Sequence, residues 1–360
     1  MKKILFATTA LVATAGIASA DVALTGSAEM GIIGGDFDGD AIETQFHTDI
    51  DVTFTMSGEA DNGLTFGASI DLDESDGSGS AVGAGSFTCE TRTAGVDLNG
   101  GGIIGIGDDY SLCDEGTITF DFDAVGASGA FGNTTQDGET IFISAGGATL
   151  TMGDTDGAFD AAMREVNYAA GSINDDETEH AGFNGNATFD GTFDGQIARF
   201  DYAFSGVTAS LSVEMDDTGT FDPVWGLGIR YEGDLNGVAL GVGVGYQSVE
   251  DVHAMGLSVD AGFSNGLTVG FNYSDWDLDG TDVQHGAIGV GYEMNALAIG
   301  VNYGHFTSDG DEISSGFGLA AAYDLGGGLA AQFGYGASTI AAPGDDINVN
   351  TWSLGLAMSF

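Results

Sequence analysis

From residue 21 onward, large apolar residues recur at every second position, with Gly, Ser, Thr, Asn or acids between them. Val207, Ala209, Leu211, Val213 and Met215 alternate with Thr208, Ser210, Ser212 and Glu214. Leu267, Val269, Phe271 and Tyr273 alternate with Thr268, Gly270, Asn272 and Ser274, and Ile50, Val52, Phe54 and Met56 with Asp49, Asp51, Thr53 and Thr55. A period of two is the signature of a β-strand with one apolar and one polar face. The pattern predicts strands near 22–33, 46–57, 64–74, 139–145, 147–153, 196–204, 207–216 and 224–232. Eight more are predicted near 237–248, 252–263, 266–276, 284–293, 296–306, 313–324, 328–337 and 350–360. That makes about sixteen strands, with ends placed to about 2–4 residues. Most are about ten residues long, enough to cross a bilayer at a tilt.

The connections alternate in length. Gly146-Gly147, Ser205-Gly206, Asp234-Leu235-Asn236, Ser264-Asn265, Met294-Asn295 and Leu325-Gly326-Gly327 are tight. Most of the others, 34–45, 75–138, 154–195, 217–223, 277–283, 307–312 and 338–348, are longer and acidic; the link near Glu250 is short. Short turns on one rim and long loops on the other are the plan of an outer-membrane barrel, with the short rim periplasmic. A soluble sandwich also alternates, but it buries its apolar face. Here the aromatics Tyr202, Phe204, Trp225, Tyr231, Tyr246, Tyr273, Tyr292, Tyr303, Tyr323, Tyr335, Trp352 and Phe360 sit near the strand ends, as interfacial girdles do. The last strand, Trp352-x-Leu354-x-Leu356-x-Met358-x-Phe360, must then close on the first, because in lipid every backbone group needs a partner. The expected fold is therefore all-β: a 16-stranded antiparallel transmembrane β-barrel with short periplasmic turns and long extracellular loops.

Composition adds to this picture. Gly is 62 of 360 residues, far above ordinary usage, while Pro is only 2. On a polar inner face, Gly and Ser would leave room for water. The chain has 55 Asp+Glu against 6 Lys+Arg, a balance that excludes nucleic acid as a partner. Met1-Lys2-Lys3, the apolar run Ile4–Ile17 and Ala18-Ser19-Ala20 read as a cleavable export signal over 1–20, so that the mature chain starts at Asp21. No later stretch is apolar for long enough to cross a membrane as a helix.

Two connections carry special content. Segment 75–138 is too long for a plain loop, and its patches Ile103–Ile106 and Ile118–Phe122 suggest a small β element. It holds both cysteines, Cys89 and Cys113, which are expected to form a disulfide in an exported chain. Segment 154–195 carries Asp154, Asp156, Asp160, Glu165, Asp175, Asp176, Glu177 and Glu179 with one base, Arg164, and Ala158–Tyr168 can form a helical turn or two. It is either a solvated surface loop or a loop folded into the barrel that lines a narrowing with carboxylates. Alternation turns Arg199 and Asp201, and Arg230 and Glu232, inward. Each Arg then either faces the loop's acids or pairs locally with Asp201 or Glu232.

Chemistry-bearing motifs are weak. Gly262-Phe263-Ser264-Asn265-Gly266 fits a nucleophile elbow by letter but sits on a hairpin turn. The five histidines, 47, 180, 253, 285 and 305, lack metal-ligand spacing. No catalytic residue is assigned, and an enzyme is not expected. Asp275-x-Asp277-x-Asp279-Gly280 matches the first half of a calcium loop, but position twelve is Gly286 where a bidentate acid is needed. A looser Ca2+ site there, or in 154–179, is a candidate; no cofactor is required.

The start Asp21-Val22-Ala23-Leu24-Thr25-Gly26-Ser27-Ala28-Glu29-Met30-Gly31 resembles the first strand of Rhodobacter-type general porins. So do Phe54–Gly58, Gly63–Ser69, Thr151-Met152-Gly153-Asp154, Tyr323–Gly328 and the terminal Phe360 in their places. The resemblance implies a water-filled homotrimer in outer-membrane lipid that passes small hydrophilic solutes and inorganic ions. It also implies an inward-folded third loop whose acids face wall arginines, often with bound calcium. The departures are the long 75–138 insertion and the scarcity of bases. An acidic lumen concentrates cations, so cation selectivity is expected. The alternative is a non-conducting barrel with a structural or adhesive role through its long loop.

Overall fold

The computed structural model describes residues 21–74, 85–91, 96–97, 109–110, 113–120, 134–173, 177–186, 189–193, 195–216, 218–278, 280–342 and 344–360, with side chains described outside 73–137. The expected leader over 1–20 lies outside the described residues. In chain order the strands are β1 (Asp21–Phe37), β2 (Asp40–Glu59), β3 (Thr65–Glu74), β4 (Gly85–Thr91), β5 (Val96–Asp97), β6 (Asp109–Tyr110) and β7 (Cys113–Phe120). After these come β8 (Thr134–Ala145), β9 (Ala148–Asp154), helix α1 (Ala158–Ala162), β10 (Gln196–Phe204), β11 (Val207–Glu214), β12 (Val224–Leu235) and β13 (Val238–Val249). The rest are β14 (Val252–Phe263), β15 (Leu267–Asp277), β16 (Asp282–Met294), β17 (Leu297–Ser308), β18 (Asp311–Gly326), β19 (Leu329–Ile340) and β20 (Ile347–Ser359).

Sixteen of these strands, β1–β3 and β8–β20, form one closed barrel of antiparallel neighbours. Closure runs from Ser27 opposite Ser359 to Phe37 opposite Val349, and the Phe360 N–H donates to the Gly26 carbonyl at 2.9 Å. No edge is left, so every strand finds partners on both sides, as a lipid environment demands. The alternating apolar residues face outward and stay exposed: Trp225, Leu227, Ile229 and Tyr231 on β12, for example, and Phe200, Tyr202 and Phe204 on β10.

Two expectations are corrected at the rim opposite the termini. Residues 34–45 were expected to form a loop, yet β1 and β2 run on to a turn at Asp38-Gly39, with φ of 50° and 90°. Residues 307–312 likewise reduce to a turn at Asp309-Gly310, with φ of 51° and 92°. Both pairs have the left-handed geometry of the hairpin turns that match strand twist. The first overhang is held by packing: Ile33 and His47 are buried, and Phe37 lies against Ala181, Ile340, Ile347 and Val349.

The long insertion does have β structure of its own, β4 with β7 and β5 with β6. Cys89 and Cys113 lie on the paired strands β4 and β7, but their side chains are outside the described residues. β8 takes over from Thr134, earlier than alternation placed it.

Candidate functional site

Between β9 and β10 the chain turns into the barrel. Of the expected helical stretch 158–168, only Ala158–Ala162 is helical. The segment is a strap with two faces. Ala158, Phe159, Ala162, Met163, Val166 and Tyr168 are buried, whereas Asp156, Arg164 and Asn167 are exposed and Asp160 and Glu165 half-buried. Phe159, Met163 and Phe189 form an apolar core with Val224, Ala254, Trp276, Val283 and Phe306 of the wall.

The wall beneath the strap explains the glycine excess. A Cβ at Gly228 would collide with the carbonyl oxygen of Ala158, at Gly243 with that of Ala162, at Gly289 with that of Val166 and at Gly300 with that of Tyr168. At Gly256 it would lie 2.6 Å from Met163 Cε, and at Gly245 2.7 Å from Phe159 Cδ2. The inner glycines of β12–β20 therefore make room for protein, where the sequence suggested room for water.

A strap with little regular structure beyond α1 brings backbone groups that need partners once buried. The wall supplies them one residue at a time. Ser212 Oγ accepts from the Ala158 N–H at 2.8 Å. Asn272 Nδ2 donates to the Arg164 carbonyl at 2.8 Å. Asn302 Nδ2 donates to that of Thr178 at 2.8 Å, and Ser314 Oγ to that of Ala181 at 2.8 Å. His285 Nε2 meets the Gly182 carbonyl at 2.9 Å. At the neck, Glu214 accepts the N–H groups of Gly191, Phe193 and Gly195 at 3.0–3.1 Å. Asp190 accepts the Gly157 N–H at 2.7 Å and the Gln247 amide, while Gln247 Oε1 accepts the Phe189 N–H at 3.1 Å. None of these anchors was singled out from the sequence. Their signal is a lone hydrogen-bonding residue among glycines on the inner face.

The loop's acids separate into groups. Asp156, Asp160 and Glu165 lie along the strap's outer edge, and Glu179 is exposed. Asp154 accepts the Gly138 N–H at 3.2 Å at the strand end. Glu177 is fully buried and accepts from Ser172 at 2.7 Å and Ser353 at 2.9 Å, so it fastens the strap. Asp175 and Asp176 lie outside the described residues. Burial pushes the Asp160 carboxyl well up, with Asp156, Glu165 and Asp190 adding to it against Arg199. Burial, then Asp156, pushes Glu165 up as well.

The wall arginines pair locally. Arg199 Nε donates to Asp201 at 3.0 Å, and its Nη1 to the Asp156 backbone carbonyl at 2.6 Å. Arg230 bridges Glu232 at 2.9 Å and Asp260, a partner the sequence did not show, at 3.0 Å. Among the described residues, neither is bonded to a strap carboxylate.

The two candidate calcium residues that are described, Asp275 and Asp277, each accept hydrogen bonds of their own. Asp275 Oδ2 accepts from Tyr273 at 3.2 Å and Gln284 at 3.1 Å, and Asp277 Oδ1 from the Gly280 N–H at 3.0 Å. Asp279 is outside the described residues. Among the described residues, no three His, Cys, Asp or Glu side chains come together as a metal site.

The strap covers the inner wall from β11 round to β20 and touches β1, where Ile173 meets Gly31. On β10, Arg199 reaches the Asp156 carbonyl of the strap. A closed barrel with a segment folded against one side of its interior is the architecture of a diffusion channel.

Comparison with known proteins agrees. No curated protein matches the chain. The model of the Gram-negative porin family matches residues 7–340. A refined porin structure superposes with a TM-score of 0.61 at 20% identity, covering 94% of this chain and 100% of that one. Two mutants of Rhodopseudomonas blastica porin superpose with TM-scores of 0.58 and 0.57 at 17% identity, with the same coverage. With its closed sixteen-stranded barrel and inner strap, the chain belongs to the Gram-negative porin family, non-enzymatic channels of the outer membrane.

Proposed function

We propose that this porin passes small hydrophilic solutes and ions and prefers cations. The observation that carries the preference is the state of the wall arginines. Arg199 and Arg230 are held by Asp201, Glu232 and Asp260, so they offer little field to an anion. The acids that remain around the passage draw cations in, and low-dielectric walls focus their field. A tenfold KCl gradient across a planar bilayer holding the channel tests this. The zero-current potential is expected to have the sign of potassium preference. It should shrink as salt rises, because the screening length falls from about 10 Å at 0.1 M to about 3 Å at 1 M. A potential of the chloride sign contradicts the reading.

On the same reading residues 1–20 serve as an export leader, supported by their basic start, apolar run and Ala-Ser-Ala end. The insertion projects from the outer rim, with Cys89 and Cys113 bridged, a pairing supported by their places on the neighbouring strands β4 and β7, where Cys113 stands opposite Thr91. Assembly as a homotrimer rests on the likeness to Rhodobacter-type porins.

A further inference from the structure

The second half of the strap is fastened by histidines. Residues 178–186 run across the inner faces of β16–β19, and Gly182 lies at the centre of that contact. Its N–H donates to His180 Nδ1 at 3.1 Å, and its carbonyl meets His285 Nε2 at 2.9 Å. One residue is thus clamped between two imidazoles, both of them buried. There is no slack around it. A Cβ at Gly182 would collide with the Gly304 carbonyl, and one at Gly185 with His285 Nδ1.

The two bonds fix the protonation states. A ring nitrogen that accepts from an N–H carries no proton, so His180 is neutral, with its proton on Nε2 beside the Asn302 side chain. His285 must donate from Nε2, because a carbonyl only accepts. A proton on His180 Nδ1 would set a donor against the Gly182 N–H, break that bond and leave a buried charge facing His285. Burial holds His180 down to about 4 despite the Asn302 side chain, and His285 adds to the effect. Around the clamp the strap contributes Glu177, bonded to Ser172 and Ser353, the exposed Glu179, and Glu165, which accepts from Asn184 at 3.0 Å. The wall contributes His305 on β17, close to His285. Strands β18 and β19 face the clamp with Gly316, Ser314 and Ser338.

We propose that His180 and His285 form an acid-sensitive clamp, whose protonation frees strap residues 178–186 from the wall and lets them swing into the passage, narrowing the channel. Acid does not loosen the neck, since burial raises the Asp190 carboxyl there. The strap therefore stays tied at Gly157 and Phe189 while the histidine segment comes away.

Hydrogen exchange of the folded porin at about pH 7.5 and about pH 4.5, corrected for intrinsic rates, reads this opening. With His180 at about 4 in the clamp and about 6.5 when free, the Gly182 and Phe183 amides are expected to lose about a hundredfold in protection at the lower pH. The Met163 amide, bonded within α1, should keep its own. Single-channel conductance should fall over the same range. The double variant His180→Asn with His285→Gln keeps both bonds in kind: an asparagine Oδ1 can accept where Nδ1 did, and a glutamine Nε2 can donate where the ring did. Neither titrates, so its protection and conductance should not respond to acid at this segment. Wild-type protection or conductance that does not fall in acid, or an equal fall in the variant, overturns the inference. If the double variant does not fold, His180→Asn alone should keep about tenfold more protection in acid than wild type, and an equal loss overturns the inference. Exchange is read without current, so the outcome is independent of the ion preference proposed above.

Discussion

Asp190 shows how a single carboxylate can tie a loop at its neck. It accepts from Gly157 at the strap's start and from Gln247 on the wall, whose own carbonyl takes the Phe189 N–H. Both bonds favour the charged form, but burial outweighs them, and Asp156 and Glu214 push the same way, so its carboxyl is raised to about 7. A carboxyl raised on folding holds its proton more tightly in the folded chain. Its contribution to stability is full below the unfolded value of about 4 and is lost as pH rises through about 7. Comparing Asp190→Ala with wild type isolates this group. Wild type should lose thermal stability relative to the variant from about pH 4 to about pH 7 and level off above, and a difference that does not change with pH excludes the linkage. Nothing in the sequence marked Asp190, one acid among 55, because its partners lie far along the chain. Arg199 and Arg230 were different: period two alone turned them inward beside Asp201 and Glu232.

Among the elements, strands and strap were legible to different degrees. Alternation found the barrel strands because one face meets lipid and the other does not, which is a strong contrast at every second residue. It lost β1 beyond residue 33 and β2 before residue 46, where Gly34, Gly35, Asp36, Asp40 and Glu43 break the contrast. The strap's course was not readable, since its burial follows from wall glycines and not from a period of its own. Gly289 makes the point testable. A side chain there meets the Val166 carbonyl, so Gly289→Val should cost about 1–3 kcal/mol as overpacking does. The strap is expected to shift away from the wall and alter the single-channel conductance, whereas Ala28→Val on the lipid face should leave it unchanged. Equal conductance in both variants would mean that the glycine wall does not position the strap.

At the scale of the whole molecule, the closed barrel, the girdle aromatics and the terminal strand were all written in the chain, as was the low number of bases. What the barrel encloses was not, because that depends on which inner face the strap chooses. It takes the glycine-rich side, and the water-filled passage is expected along the other. Thiol accessibility in the folded channel tests this division most directly. Cysteine introduced at Thr53, on the inner face of β2, should react with a charged, water-borne thiol reagent and lower the conductance, measured against the parent channel treated alike. Cysteine at Ser258, fully buried beneath the strap, should stay unreacted until the protein is unfolded. Rapid modification at Ser258 with protection at Thr53 would place the passage on the wrong side and contradict the account.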